Sequence, residues 1–212
     1  MDNKLDRYAQ AHTSPREALL DEVDRVTNQQ VVQPRMLSGH LQGKLLEMIT
    51  RMIRPKRVLE IGTFTGYSAL SIAAGLDEGA ELHTIEVDDE LEMIAYSLFD
   101  KSPYRDKIHH HIGSALDITP ELGGTFEMVF MDGDKREYPA YYNMLLDGGL
   151  VGSNSYIIAD NILWSGKVVE PLAKGDRHTA ALLEFNSMVL SDHRVENVIL
   201  PIRDGLNIIR VK

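Results

Sequence analysis

Two stretches of the sequence place oxygen-bearing side chains directly after a short apolar segment. Asp132 follows residues 126–131, and the pair Asp160-Asn161 follows residues 156–159. Both segments have the length and composition of buried strands. Neighbouring parallel strands lie about 4.8 Å apart and end at one edge of the sheet, so these side chains are expected to converge on one ion. Two carboxylates and an amide oxygen, without cysteine or histidine, favour Mg²⁺ or another hard divalent cation such as Mn²⁺ or Ca²⁺.

Helix capping is the alternative role for these three side chains, because Asp and Asn are good N-cap residues. We favour the ion site, since such residues recur at two strand ends that the predicted sheet places side by side. Lys135 follows Asp132 by three residues, on the turn into the next helix. A lysine beside a divalent cation has a lowered pKa and can act as a general base, whereas the alternative is an exposed surface lysine. Asp134 would either oppose that shift or face a bound cofactor.

A glycine-containing turn follows an earlier apolar segment. Residues 57–61 are predicted to form a strand, Gly62 and Gly66 interrupt the chain, and apolar residues at helical spacing begin at Tyr67. A strand, a glycine turn and a helix N-terminus together make a pocket of the nucleotide-binding type. The spacing differs from the G-x-G-x-x-G of dinucleotide sites. Glu60, at the end of the strand, suits a cationic ligand better than a pyrophosphate.

Two further strand ends are candidates for the same pocket. Glu86 ends the second predicted strand about 20 residues after the glycine turn, a placement that lets a carboxylate bind ribose hydroxyls; a solvated acid is the alternative. Gly113-Ser114-Ala115 follows the third strand, where an adenine edge would fit, or is simply a loop. The run His109-His110-His111 is not predicted to bind one ion, because neighbouring strand residues point to opposite faces of the sheet.

Positioning these residues requires a sheet whose strands end together. Alternating strands and helices predict an α/β fold with a mainly parallel sheet and a C-terminal antiparallel hairpin. The predicted strands span residues 57–61, 81–86, 108–112, 126–131, 156–159, 195–200 and 206–211. Two helices precede the first strand. The first is predicted to start with Ser14 as N-cap before Pro15. The second runs from residue 38 or 39 to 53, with its buried face expected to comprise Leu41, Leu45, Met48, Ile49 and Met52.

Length and composition limit the possible classes of protein. The 212 residues suit one domain, with a helical lid or flank over residues 1–55 and an α/β core over residues 56–212. The net charge of −10, from 22 basic and 32 acidic residues, argues against broad non-specific nucleic-acid binding. No apolar run has the roughly 18 residues of a membrane span. The polar N-terminus has no signal-peptide core, so a cytoplasmic location is the default expectation.

Together these motifs resemble the cation-dependent class I S-adenosylmethionine O-methyltransferases, the group of catechol and caffeoyl-CoA O-methyltransferases. The resemblance covers nearly the whole chain. It rests on Val58-Leu-Glu-Ile-Gly-Thr-Phe-Thr-Gly-Tyr-Ser68, His83-Thr-Ile-Glu86, Met131-Asp-Gly-Asp-Lys135, Ile158-Ala-Asp-Asn-Ile-Leu-Trp-Ser-Gly166 and Asp204-Gly205. It implies a Rossmann-like fold with a seven-stranded sheet and extra N-terminal helices, and frequent homodimers.

The resemblance also implies roles for individual residues. Lys135 and Asp132 would be catalytic, and Asp132, Asp160 and Asn161 would bind the metal. The residues expected around S-adenosylmethionine are Ser38, Glu60, Gly62, Thr63, Gly66, Tyr67, Ser68, Glu86, Gly113, Ser114, Ala115, Asp132 and Asp134. The residues expected around the substrate are Met36, Trp164 and Ser165, with the flat ring of Trp164 suited to walling an aromatic acceptor.

The implied reaction is methyl transfer from S-adenosylmethionine to a hydroxyl of a small catechol-like or hydroxycinnamoyl-type acceptor. Methylation of a hydroxylated tRNA base is an alternative that the acidic balance disfavours. A non-catalytic S-adenosylmethionine-binding protein is disfavoured by the presence of Lys135 and the predicted metal ligands, and an NAD-binding protein by the glycine spacing.

Two features depart from the family pattern. Residues 152–156 lengthen the connection before the Asp160-Asn161 strand, and they are expected to reshape either the substrate mouth or the dimer edge. Gly133 stands where catechol enzymes carry a bulkier residue, so catechol itself is not assured as the acceptor.

Overall fold

Seven strands form one sheet in the order β3-β2-β1-β4-β5-β7-β6. The computed structural model describes residues 4–212. The strands are β1 (Arg57–Ile61), β2 (Glu81–Glu86), β3 (Ile108–Ile112), β4 (Met128–Met131), β5 (Tyr156–Asp160), β6 (Val195–Leu200) and β7 (Leu206–Val211). Strands β1–β5 are parallel, and β7 pairs antiparallel with both β5 and β6. The predicted fold and its C-terminal hairpin are confirmed.

Helices cover both faces of this sheet. In the described part of the chain the α-helices are α1 (Lys4–Ala11), α2 (Ala18–Gln30), α3 (Gly39–Ile53), α4 (Tyr67–Gly75), α5 (Glu92–Phe99), α6 (Ala115–Leu122), α7 (Tyr138–Asp147) and α8 (Arg177–Ser191). Helices α2–α5 pack on one face, with Leu46, Tyr67 and Phe99 in that core. Helices α6–α8 pack on the other, with Leu145 and Phe185. None of the helices within residues 4–212 is long and apolar enough to cross a membrane.

The predicted start of the first N-terminal helix is wrong. Helix α2 begins at Ala18, and its N-cap position is Glu17, which makes no side-chain capping bond. Tertiary contacts hold the preceding residues in another conformation. The Tyr104 hydroxyl donates a 2.6 Å hydrogen bond to Glu17, and Arg16 pairs with acids of α2. Ser14 and Pro15 therefore precede the helix instead of capping it.

The predicted buried face of α3 is also wrong in part. Met48 is 54% and Met52 is 70% exposed, although both have core spacing. Close packing against α4 decides the orientation instead. A Cβ on Gly43 would lie 2.7 Å from the Ser71 hydroxyl and from the Tyr67 ring, so only glycine allows this approach. The buried residues of α3 are Gln42, Gly43, Leu46, Ile49 and Thr50.

Two differences concern the strands that carry the predicted ion ligands. Strand β4 is shorter than predicted, because Phe126 N donates to Leu150 O and does not join the sheet. Residues 152–156 lie at the amino end of β5, where Asn154 N donates to Val211 O and Ser155 Oγ donates to Phe126 O. That end is opposite to Asp160, so the expectation that this segment reshapes a mouth at the carboxyl ends is wrong.

Candidate active site

The ends of β4 and β5 bring two carboxylates together. Met131 is paired with Ala159, so Asp132 and Asp160 follow at neighbouring positions. Asp160 is only 2% exposed. Burial raises its pKa to about 6, and the charge of Asp132 adds to this shift while Lys135 opposes it. The predicted convergence of the two strand ends is therefore present in the fold.

Lys135 is buried between these groups. Its Nζ donates to Asp132 Oδ1 at 2.6 Å and to the Tyr138 hydroxyl at 2.9 Å, and the residue is 7% exposed. Burial raises the pKa of Tyr138 well above its ordinary value, so this phenol keeps its proton. The Tyr138 oxygen lies 2.8 Å from Met131 O and 3.0 Å from Asp160 O. The alternative of an exposed surface lysine is wrong.

The charges of this cluster suit a cation. Lys135 contacts Asp132 and acts on Asp160 through its charge, so one cation faces two carboxylates. Asn161 follows in a left-handed conformation, with φ 58°, and its backbone N donates to Asp160 Oδ1 at 2.6 Å. Oxygen donors of this kind fit a hard divalent ion. No group of three or more His, Cys, Asp or Glu arranged for a metal occurs within residues 4–212, so a complete site would need the Asn161 amide and water.

Glu60 has a buried carboxylate oxygen without a partner. The side chain is fully buried, and Oε2 accepts a 2.5 Å hydrogen bond from Thr84, while Oε1 has no partner of ordinary geometry among residues 4–212. Burial raises the Glu60 pKa to about 8, and the Ser68 and Thr84 hydroxyls oppose the shift. An unsatisfied buried oxygen is costly, and a cationic group of a ligand would satisfy it. This observation fits the ammonium group of S-adenosylmethionine.

Glu86 is held in place by backbone donors. Its Oε2 accepts from Phe64 N at 2.7 Å, and its Oε1 accepts from Val87 N and Asp88 N at 3.0 Å each. The turn after β3 lies beside it, since Gly113 N donates to Glu86 O at 2.8 Å. The carboxylate is therefore fixed at the strand end before any ligand binds.

Gly62 cannot be replaced by a larger residue without movement of the backbone. Its φ is 100°, and a Cβ would lie 2.7 Å from the carbonyl oxygen of Asp132. Gly66 has φ 88°, and a Cβ there would lie 2.5 Å from the Phe99 ring. Gly62 lets the turn pass close to the end of β4, which joins the predicted cofactor turn to the carboxylate pair, and Gly66 lets the turn pack against Phe99.

Residues 34–38, which we call the cover segment, pass beside this turn, and the last three of them line the cleft there. The remaining space is about 10 Å³. Ligand pockets have volumes of about 300 Å³ or more, so this cleft is only a small part of the space that a cofactor would fill. The cleft contains several predicted cofactor and substrate residues; its lining is Met36, Leu37, Ser38, Gly62, Thr63, Phe64, Tyr67, Ser68 and Asp132. A concavity of about 490 Å³ beside Lys56 and Ala80 lies at the amino ends of β1 and β2, away from these carboxylates.

The predicted substrate residues after β5 form a strained turn. Trp164 and Ser165 have φ 47° and 54°, and Ser165 N donates to Asp204. The Trp164 ring stacks on His178, with ring centroids 5.7 Å apart. His178 Nε2 lies 4.0 Å from Asp134 Oδ1, and hydrogen bonding from Arg136 lowers the Asp134 pKa. His178 therefore lies between the Trp164 ring and the Asp134 carboxylate.

Three residues near the carboxylates were missed by the sequence analysis; they are Tyr138, whose hydroxyl contacts Lys135, and Gln42 and Arg203. Gln42 Nε2 donates to Asp160 Oδ2 at 2.5 Å, and Arg203 Nη1 donates to Gln42 Oε1 at 3.2 Å. Gln42 stands among the apolar positions of α3, and a polar residue at such a position can indicate a buried hydrogen bond. Its meaning depends on which face of α3 is buried, which the apolar spacing predicts incorrectly.

Comparison with known proteins identifies relatives over almost the whole chain. The sequence profile of the O-methyltransferase family matches residues 10–212. Caffeoyl-CoA O-methyltransferase 1 of Eucalyptus globulus is 33% identical over 183 residues, which cover 80% of this chain and 72% of that protein. Two crystal structures superpose with a TM-score of 0.90. The first is the SAH-bound Podospora anserina methyltransferase PaMTH1, with 28% identity and coverage of 99% of this chain and 94% of that one. The second is the O-methyltransferase TomG of Streptomyces achromogenes in complex with SAM, with 26% identity and coverage of 99% and 96%.

These matches agree with the geometry at the strand ends. Both solved relatives hold the cofactor or its demethylated product, and the present chain has the glycine turn and buried Glu60 that suit the same cofactor. The chain therefore belongs to the O-methyltransferase family and is an S-adenosylmethionine-dependent O-methyltransferase of the caffeoyl-CoA type.

Proposed function

We propose that the protein methylates a hydroxyl of a small catechol-like or hydroxycinnamoyl-type acceptor in a reaction that requires a divalent cation. The observation that carries this proposal is the buried position of Lys135. Its Nζ contacts Asp132 and the Tyr138 hydroxyl at the ends of β4 and β5, where Asp160 is also buried. A buried amine at the strand ends, where the acceptor would be held, is placed to take a proton from it, which an exposed surface lysine would not be.

The cofactor would lie over the glycine turn. Glu60 Oε1 would accept from its ammonium group, because this buried oxygen lacks another partner in the described structure. Glu86 would accept from the ribose hydroxyls, since backbone donors already fix its carboxylate. When bound, S-adenosylmethionine supplies the methyl group. The other predicted cofactor residues would line the same cleft; they are Ser38, Gly62, Thr63, Gly66, Tyr67, Ser68, Gly113, Ser114, Ala115, Asp132 and Asp134.

The metal would be held by Asp132, Asp160 and Asn161. Bound there, a divalent cation such as Mg²⁺ would supply positive charge that lowers the pKa of the acceptor hydroxyl from about 10. The excess of carboxylates over cations in this cluster supports the assignment. Lys135 would take the hydroxyl proton at Nζ, while Tyr138 keeps that nitrogen in place through its oxygen.

The acceptor would occupy the side of the cleft near Trp164. Met36 lines the cleft, and the stack of Trp164 on His178 provides a flat wall for an aromatic ring. The caffeoyl-CoA relative supports a phenolic acceptor. Ser165 belongs to the same turn. Homodimerisation, which the family resemblance implies, is part of this proposal, and sizing in solution tests it.

The test is an acceptor screen with labelled S-adenosylmethionine. Catechols, hydroxycinnamoyl thioesters and hydroxylated tRNA are compared with Mg²⁺ and with excess EDTA. The proposal expects a phenolic acceptor to be labelled only when the cation is present. Labelling of tRNA alone would contradict the acceptor class, and full labelling of a phenol in EDTA would contradict the cation requirement.

A further inference from the structure

Gln42 is a buried polar residue that reaches the predicted ion site from a distant part of the chain. It lies on α3, is 0% exposed, and donates from Nε2 to Asp160 Oδ2 at 2.5 Å. The other carboxylate oxygen of Asp160 accepts from Asn161 N at 2.6 Å. Each carboxylate oxygen has two lone pairs, so one donor on each oxygen fixes the group and leaves acceptor capacity for an ion.

Arg203 determines which end of the Gln42 amide faces Asp160. Its Nη1 donates to Gln42 Oε1 at 3.2 Å. With the amide reversed, the carbonyl oxygen would face a carboxylate and the NH₂ group would face a guanidinium, and both contacts would be repulsive. The cation on one side and the anion on the other therefore select a single orientation.

The neutral amide also keeps two positive charges apart. If Arg203 contacted Asp160 directly, its charge would neutralise the carboxylate and repel a bound cation. With Gln42 between them, Asp160 has a strong hydrogen-bond donor that carries no net charge. Asp160 is thus oriented by the fold without losing its value as a metal ligand.

The same arginine holds the cover segment. Arg203 Nη2 donates to Leu37 O at 3.0 Å, and Nη1 also donates to Ser38 O. Arg203 lies between β6 and β7 in a left-handed conformation, with φ 52°. One guanidinium therefore contacts both the segment above the cofactor cleft and the residue that orients Asp160.

We propose that Gln42, oriented by Arg203, is a positioning residue for Asp160 and links the ion site to the cover segment. This inference rests on the proposed cation-dependent function. Outer residues that orient a metal ligand typically contribute 10- to 100-fold to metal affinity. Gln42→Met, which keeps the shape and removes both polar atoms, is expected to weaken Mn²⁺ binding about tenfold or more. S-adenosylhomocysteine affinity should change less than about twofold, because Gln42 does not line the cleft.

The experiment measures Mn²⁺ binding by electron paramagnetic resonance and S-adenosylhomocysteine binding by calorimetry on the full chain. Thr50→Val is the matched control, since Thr50 is equally buried on α3 but bonds only within that helix and to Met128. It should leave both affinities unchanged. If Gln42→Met does not fold, Gln42→Asn serves instead, because its amide is one carbon too short to reach Asp160.

Arg203 provides a second comparison. Arg203→Met should weaken Mn²⁺ binding and also speed the release of S-adenosylhomocysteine, because it frees the cover segment. Arg203→Lys keeps the charge facing Gln42 Oε1 and should recover part of the Mn²⁺ affinity. A purely structural role would change the melting temperature of these variants without separating the two affinities.

The outcomes are distinct. Wild-type protein that binds no Mn²⁺ would overturn the cation-dependent function, and this inference with it. Wild-type protein that binds Mn²⁺, together with a Gln42→Met variant of equal Mn²⁺ affinity, would overturn the inference alone. Equal losses of Mn²⁺ and S-adenosylhomocysteine affinity in Gln42→Met would also overturn it, by showing general distortion of α3.

Discussion

Titratable side chains cluster in two places, at the ends of β4 and β5 and at the edge formed by β2 and β3. The two clusters differ in the hydrogen-bond and ion-pair partners of their side chains. At the β2–β3 edge, His83 Nδ1 lies 3.1 Å from His111 Nε2, and His83 Nε2 lies 3.2 Å from Glu81 Oε1. At the β4–β5 ends, Lys135 contacts Asp132, and its charge also acts on Asp160. Both ring nitrogens of His83 thus have protein partners, whereas the carboxylates have an excess of negative charge.

This difference separates a structural cluster from a candidate binding site. Burial lowers the pKa of His83, and the nearby charges of His109 and Arg57 lower it further while Glu81 opposes them. A neutral His83 whose two ring nitrogens both have protein partners gives no physical reason for a ligand. Asp160 is buried beside Asp132, and Glu60, the second-last residue of β1, has an oxygen without a hydrogen-bond partner in the described structure. The excess negative charge of Asp132 and Asp160 and the free acceptor oxygen of Glu60 both favour a cationic partner.

Removal of the cation should have the largest effect on activity. Excess EDTA is expected to abolish methyl transfer, and added Mg²⁺ or Mn²⁺ should restore it, because the proposed ligands are hard oxygens. Asp160→Ala should be folded and inactive, and it should still bind S-adenosylhomocysteine in calorimetry. Circular dichroism checks the fold. Undiminished turnover in EDTA would return Asp132, Asp160 and Asn161 to the capping role.

Lys135→Ala should lower turnover by about 10²- to 10⁴-fold, the usual contribution of a general base. Cofactor binding should change little, because the lost group acts in the chemical step. The matched control is Lys167→Ala, since Lys167 has a side chain that is 53% exposed and pairs only with Asp176 in the structure. Rate measurements at saturating cofactor distinguish the two variants. Full activity of Lys135→Ala would make this buried lysine a structural residue.

Glu86→Ala should weaken S-adenosylmethionine binding at least tenfold. Two hydrogen bonds from ribose hydroxyls to a carboxylate would be lost, each contributing about 1.5–3 kcal/mol. Because the mutation also leaves the backbone donors of Phe64 and Asp88 without partners, Glu86→Gln is a second variant that keeps most of the side-chain shape. Glu78→Ala, at an exposed position, is the control. Calorimetry showing wild-type affinity in both Glu86 variants would remove Glu86 from the site.

The histidine-rich edge should affect stability but not chemistry. Burial lowers the pKa of His110 to about 4, with smaller effects from His111 and Arg105, against about 6.5 in the unfolded chain. Between these values the unfolded state binds the proton and the folded state does not. Stability should therefore fall as the pH drops from about 6.5 to about 4.

His110→Leu should remove about 1 kcal/mol of this pH dependence, a value discounted for partial exposure of the ring. Urea unfolding at pH 7 and pH 5 measures the effect, and His193→Leu at an exposed position is the control. A His110→Leu variant with the wild-type pH dependence would contradict the assignment. A large loss of turnover at pH 7 in the same variant would break the distinction between the two clusters.

Local patterns in the sequence were sufficient to predict the sheet and the residues at its ends. The predicted bounds of β1, β2, β3, β6 and β7 agree with the structure, because each is a short segment that contains branched residues and lies between turns. The convergence of Asp132 and Asp160 also followed from the sequence, since parallel neighbours must end at one edge. Alternation along β3 correctly separates His110, which packs against Phe99 on the opposite face, from the histidines beside it.

Tertiary structure alone decided the contacts made between distant elements. The orientation of α3 depends on the approach of Gly43 to Tyr67, and hydrophobic spacing along one helix contains no information about a partner helix. The same rotation exposes Met48 and buries Gln42 against Asp160. Arg203 reaches Gln42 from the C-terminal hairpin. Such contacts join segments far apart in the chain, so they exist only once the sheet and its helices have packed.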